Sequence, residues 1–103
     1  MDQQEPTNQP ENIAPEMKGL SDYDRIILEV FRRHYEEGDT LLTFPKDELQ
    51  EICNTFGIVV RNIPDIVYTF RSRRALPAPI LTTGNWAIES AGRSKYAFRA
   101  IGQ

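Results

Sequence analysis

The chain has 103 residues, room for one domain and not two. Hydrophobic residues make up 40% and charged residues 26%, the balance of a globular protein, and no apolar run reaches the roughly 20 residues a membrane-spanning helix needs. One cysteine, Cys53, excludes an internal disulfide and a thiolate metal cluster, and one histidine, His34, leaves the metal-ligand inventory nearly empty. The start, Met1-Asp2-Gln3-Gln4-Glu5-Pro6, has neither the basic nor the apolar region of a secretory signal. An unpaired cysteine fits a reducing, cytoplasmic compartment. The expectation is a binding module that needs no cofactor.

The formal net charge of -3 alone argues against a nucleic-acid partner. Its distribution argues the other way. Residues 1–57 carry 5 Lys/Arg against 13 Asp/Glu, a net of -8, whereas residues 58–103 carry 7 against 2, a net of +5. Salt screens charges over about 8 Å, so a basic face can attract a polyanion while an acidic face points elsewhere.

Residues 1–20 hold Pro6, Pro10 and Pro15 among Gln, Asn and Glu, with sparse and aperiodic apolar residues. They read as a disordered arm, with Leu20 the first residue to touch a core. The domain then spans 21–103. Ser21 reads as an N-cap, with Asp22 and Asp24 in the positive first turn. Tyr23, Ile26, Ile27, Val30, Phe31 and His34 recur at helical spacing, and Gly38 reads as the stop. His34 lies in the apolar stripe and is expected to be a partly buried histidine bonded to a backbone carbonyl.

Leu41 to Phe44 suggest a short strand. Pro45 suits the first position of a second helix, with Asp47 and Glu48 in its first turn. Leu49, Ile52, Cys53 and Phe56 give a core stripe, which makes Cys53 a small buried hydrophobe rather than a nucleophile, and Gly57 closes the helix. After a short connector, Asn62 caps a third helix, with Asp65 completing a capping-box-like pair and Pro64 tolerated in the first turn. Ile63, Ile66, Val67 and Phe70 face the core. Steps of 100° place Asp65, Tyr68, Thr69 and Ser72 outward with Arg71 on the flank, and Arg73 and Arg74 at the helix end. Pro77 and Pro79 suggest that residues 76–80 are extended. Trp86 to Glu89 and Lys95 to Ile101 alternate as strands around the Gly-containing loop Ser90–Ser94, a hairpin.

Helix, short strand, helix, helix, hairpin is the order of an α+β three-helix winged helix-turn-helix with a C-terminal β-hairpin wing. In such a domain the second helix of the helix-turn-helix enters the major groove. The basic residues fall where that arrangement needs them. Arg61 precedes the recognition helix, Arg71, Arg73 and Arg74 end it, and Arg93 and Lys95 flank the wing tip beside Ser94. Such cations position a protein on phosphates, while Asn62, Tyr68, Thr69 and Ser72 lie on the segment that would meet the DNA, the last three within reach of base edges.

The stretch Arg61-Asn62-Ile63-Pro64-Asp65-Ile66-Val67-Tyr68-Thr69-Phe70-Arg71-Ser72-Arg73 is followed by Leu76-Pro77, then Trp86-Ala87-Ile88 and Gly92-Arg93-Ser94-Lys95-Tyr96-Ala97-Phe98. Over residues 20–101 this resembles a winged-helix domain attached to prokaryotic restriction-type nucleases. The resemblance implies a domain that binds double-stranded DNA while a separate domain, on a longer chain or on a partner subunit, cuts it. The sequence departs from that arrangement in leaving no room for a cutting domain before Gln103, so it reads as a fragment or as a stand-alone binder.

Restriction-type cleavage needs clustered acids around Mg²⁺ and a nearby lysine. Pro64-Asp65 is present, but the only later acid is Glu89, Ala91 stands two residues beyond it, and Arg93-Ser94-Lys95 has arginine where an acid would be needed. The expectation is therefore no catalysis and no metal site, and no Gly-Lys-Ser phosphate loop occurs. Two other readings compete with DNA binding. One is a protein-docking winged helix that uses the acidic half and Tyr68, since fold alone does not settle function. The other is RNA or modified-base recognition by stacking on Trp86, Tyr68 or Tyr96. Nothing in the sequence marks an oligomeric interface.

Overall fold

The computed structural model describes residues 20–102. The arm expected over residues 1–20 lies outside them, save for Leu20, which packs against the core. The described residues form an α+β fold of four helices and one small sheet: α1 Asp22–His34, β1 Leu41–Pro45, α2 Lys46–Phe56, α3 Ile63–Tyr68, α4 Ala78–Leu81, β2 Trp86–Ser90 and β3 Lys95–Ala100. The sheet is antiparallel with the order β1-β3-β2.

α1 starts where Ser21 and Asp24 satisfy each other. The Asp24 N–H donates to the Ser21 hydroxyl at 3.2 Å and the Ser21 N–H to the Asp24 carboxylate at 3.1 Å, a complete capping box. The helix ends at His34, before Gly38. Tyr35 turns extended and lays its ring on Phe31, 5.0 Å between centroids. Gly38 instead provides a left-handed residue, φ 97°, in the turn that follows.

Pro45 is the last extended residue before α2 rather than its first helical one. α2 ends on Gly57, φ 71°, with the Ile58 N–H reaching back to the Cys53 carbonyl at 2.9 Å, the bond pattern of a glycine-terminated helix. α3 tolerates Pro64 in its first turn and runs into a π-helical turn, Thr69–Arg73, closed by the Arg74 N–H donating to the Thr69 carbonyl at 3.0 Å. The extended segment expected at residues 76–80 is corrected. Residues 78–81 form one helical turn, α4. Prolines obstruct a helix interior, but in a first turn their missing N–H has no partner to lose.

The core lies between α1 and the sheet. Leu42 and Phe44 of β1, Trp86 and Ile88 of β2 and Phe98 of β3 are buried, and the register aligns Leu42 and Ile88 on either side of Phe98. Ile26, Ile27, Val30 and Phe31 of α1 cover this face, joined by Leu49, Ile52 and Cys53 of α2 and by Ile66, Val67 and Phe70. The Phe31 ring meets Trp86 and Phe98 edge-on at 5.3 and 5.1 Å, a geometry favoured by the ring quadrupoles. Phe98 is fully buried on the central strand and touches Phe44 at 5.5 Å. Phe98→Ala is expected to lower stability by about 3–5 kcal/mol, most of what a small domain has. Urea unfolding followed by circular dichroism checks this, with a midpoint shift under about 1 kcal/mol counting against the packing described.

Candidate nucleic-acid interface

The residues expected to meet a nucleic acid stand in different surroundings. Arg61 and Asn62 are exposed ahead of α3. The expected cap is corrected: the Asn62 side chain makes no capping bond, and only its carbonyl receives the Asp65 N–H, at 3.0 Å. The Asp65 carboxylate has another partner. It accepts from the Tyr23 hydroxyl at 2.9 Å, and Arg73 Nη1 stands 4.0 Å away. That tie, between α1 and α3, spans 42 positions in the chain and outcompetes a local cap. Burial, then the bond to Asp65, raises the Tyr23 hydroxyl pKa.

Thr69 is the second correction. It is 7% exposed and its hydroxyl donates to the Asp65 carbonyl at 2.8 Å. On the wheel it sits at the flank of the apolar stripe, and the π turn to which it belongs packs against β2. A hydroxyl bonded to its own helix backbone inside the fold is not free to read a base. Tyr68 and Ser72 are exposed as expected. The Arg73 guanidinium lies over the Tyr68 ring, 5.1 Å from its centroid.

Arg74 is the third correction. It turns back on α1. Its Nη2 donates to the Ser21 hydroxyl at 2.7 Å, lies 3.3 Å from the Asp24 carboxylate, and its guanidinium covers Phe70 at 5.2 Å. The acidic first turn of α1, placed there to satisfy a helix N-terminus, also takes up this cation. Arg74 fastens the end of the π turn to the start of α1.

The hairpin loop is short. Ser90 pairs with Tyr96, the Ala91 N–H bonds the Lys95 carbonyl, and β1 pairs with β3 as far as Pro45 opposite Lys95. The hairpin therefore ends level with β1 and does not project beyond the sheet. Arg93, Ser94 and Lys95 are exposed there. Ser94 is left-handed, φ 58°, and its carbonyl accepts the Lys46 N–H at 2.9 Å. Lys46, at the start of α2, thus joins the loop cations. Spacing could not show it, because Lys46 and Ser94 lie far apart in the chain.

Arg71 belongs to the π turn that packs against β2. Glu89 is hydrogen-bonded by Arg99 through both carboxylate oxygens, at 3.0 and 3.1 Å. That bond first, and the charges of Arg99 and Arg71 after it, hold its carboxyl below the ordinary value. Glu89 lies on β2, the strand that leads into the loop and against which the π turn of Arg71 packs. Among the described residues no ion pair holds Arg61, Arg71, Arg93 or Lys95.

Other sequence candidates are structural. His34 Nε2 meets the Glu48 carboxylate at 2.8 Å, not the backbone carbonyl expected for it. The same Glu48 faces Arg33 at 3.5 Å, so the pair ties α1 to α2. Cys53 is fully buried and burial pushes its thiol pKa up. Trp86 is buried and Tyr96 half-buried, and Trp86 Nε1 donates to the Thr83 hydroxyl at 2.9 Å. A cavity of about 260 Å³ between α1 and α4, lined in part by Leu28, Phe31 and Tyr35, draws no wall from α3 or the hairpin. No helix among the described residues is long and apolar enough to cross a membrane.

No protein-family model, curated protein or solved structure matches the chain. The placement of Arg71 beside the hairpin is open to a direct check. Arg99→Ala is expected to raise the Glu89 carboxyl pKa by removing a hydrogen bond, and Arg71→Ala to raise it by a smaller amount through charge alone. Carboxyl chemical shifts followed over an acid titration report both, and an Arg71→Ala curve that overlays the parent would remove Arg71 from the neighbourhood of Glu89.

Proposed function

We propose that the chain binds double-stranded DNA as a winged helix-turn-helix, with α2 and α3 as the helix-turn-helix and β2–β3 as a short wing. The element order and the strand order β1-β3-β2 are compatible with that fold. The observation that carries the reading is the meeting of cations from two chain-distant segments, Lys46 and the pair Arg93 and Lys95, at one end of the sheet, with the π turn that bears Arg71 packed against β2. Arg61 adds a fifth cation ahead of α3. In this reading these residues and the Ser94 loop contact phosphates, and Tyr68, Ser72 and Arg73 face the groove. The protein then works without a cofactor in a compartment that holds DNA, the prokaryotic cytoplasm by the resemblance noted above. It serves as the targeting part of a restriction-type nuclease whose cutting domain lies elsewhere, or as a DNA binder in its own right.

Val59, in the α2–α3 connector, is 92% exposed, and Leu41 is 56% exposed. These favour protein docking as the second reading, with binding that persists at high salt and needs no nucleic acid.

Duplex affinity of the whole chain is expected to fall linearly on a log–log plot against salt, because bound phosphates release counterions. Replacing Arg71, Arg93 and Lys95 by Ala should flatten that line by about 0.9 for each phosphate left without its cation. Arg74→Ala should leave the slope as it is and lower stability by about 0.5–1 kcal/mol, as for a half-exposed ion pair. Fluorescence anisotropy across a salt series, beside urea unfolding, measures both. A triple variant with the parent's slope would overturn the reading.

A further inference from the structure

We infer that Arg73 is the specificity-determining residue and reads a guanine in the major groove, an inference that rests on the DNA-binding reading above. The three arginines at the end of α3 have the same chemistry but different surroundings. Arg74 is taken up by Ser21 and Asp24. Arg71 lies beside Glu89 and the hairpin, where a phosphate contact suits it. The Arg73 side chain is 61% exposed and has two neighbours, Tyr68 and Asp65. Its guanidinium carbon lies over the Tyr68 ring, 5.1 Å from the centroid. Its Nη1 faces the Asp65 carboxylate at 4.0 Å, and Asp65 is itself anchored by the Tyr23 hydroxyl at 2.9 Å. No described residue accepts from its Nε or Nη2.

A phosphate contact asks only for positive charge within reach. It has no use for a ring beneath the guanidinium, and Asp65 offsets part of the charge that would draw Arg73 to the backbone. A base edge asks for the opposite: a planar fork with two donors side by side and little freedom to lose. Guanine presents N7 and O6, two acceptors on one edge, and the arginine fork matches them. Adenine presents an acceptor beside a donor, and the fork meets that donor with its own. Tyr68 and Asp65 are then positioning residues that act through Arg73.

The test uses the whole chain and 20-base-pair duplexes chosen by binding selection from a random pool. The selected sites should share a guanine. Replacing that guanine by 7-deazaguanine, or its pair by A·T, should weaken the parent by about 5- to 150-fold, the range of a bidentate arginine contact. Arg73→Ala should bind the guanine and substituted duplexes alike, while Tyr68→Leu should narrow the gap between them. Circular dichroism confirms that each variant is folded, and the 7-deazaguanine arm needs no variant. If Arg73→Ala weakens every duplex equally and flattens the salt dependence by about 1, Arg73 is a phosphate contact and the guanine assignment is overturned while DNA binding stands. If the parent binds no duplex at any salt, both are overturned.

Discussion

Phe31 is the point on which three elements close. It belongs to α1, lies under Tyr35 where the helix ends, and meets Trp86 of β2 and Phe98 of β3 edge-on. Phe98 carries the contact to Phe44 of β1. The whole sheet therefore takes its position from one face of one helix. A domain of this size has a modest core, and polar ties add to the apolar contacts by which α2 and α3 join it. Two of those ties, at Asp65 and at Arg74, lie at the candidate interface and help to place α3 and its π turn.

Asp65 is the clearest of the ties. It sits in the first turn of α3, where a carboxylate suits the helix dipole, and it is also the acceptor for Tyr23 and the neighbour of Arg73. One side chain thereby docks α3 on α1 and faces the exposed arginine. Arg74 makes the matching tie at the other end of the segment, from the π turn back to the Ser21 cap. The two ties hold both ends of α3 and its π turn against the start of α1, and leave the Tyr68, Ser72 and Arg73 surface uncovered.

Features governed by neighbours in the chain were legible in the sequence. Ser21 announced an N-cap, Gly57 a helix end, and the apolar periods gave α1, α2 and the core side of α3. Alternation gave β2 and β3 and a short apolar run gave β1, but not that β1 joins the hairpin on the β3 side, because that pairing links Leu41 with Arg99. The misreadings share one cause. The Asp65 cap, the outward Thr69 and the free Arg74 were each read from local spacing, and each was decided by α1 or β2. Lys46 was missed for the same reason. Residues 76–80 failed differently: two prolines were read as excluding a helix when they exclude only a helix interior.

The charge split along the sequence takes on a different meaning in space. The two acids of the second half do not simply dilute its seven cations. Glu89 takes Arg99 outright and stands near Arg71. Asp65 shades Arg73 without closing on it. Asp24, from the acidic half, removes Arg74. Carboxylates thus sort the basic residues by role. Two are committed to holding the fold, one lies between a ring and a carboxylate, and Arg61, Arg71, Arg93 and Lys95 make no ion pair among the described residues. A surface whose free charge is selected in this way can be attractive to a polyanion on a chain that is acidic overall, since attraction at contact depends on what lies within a Debye length, about 8 Å, and not on the total.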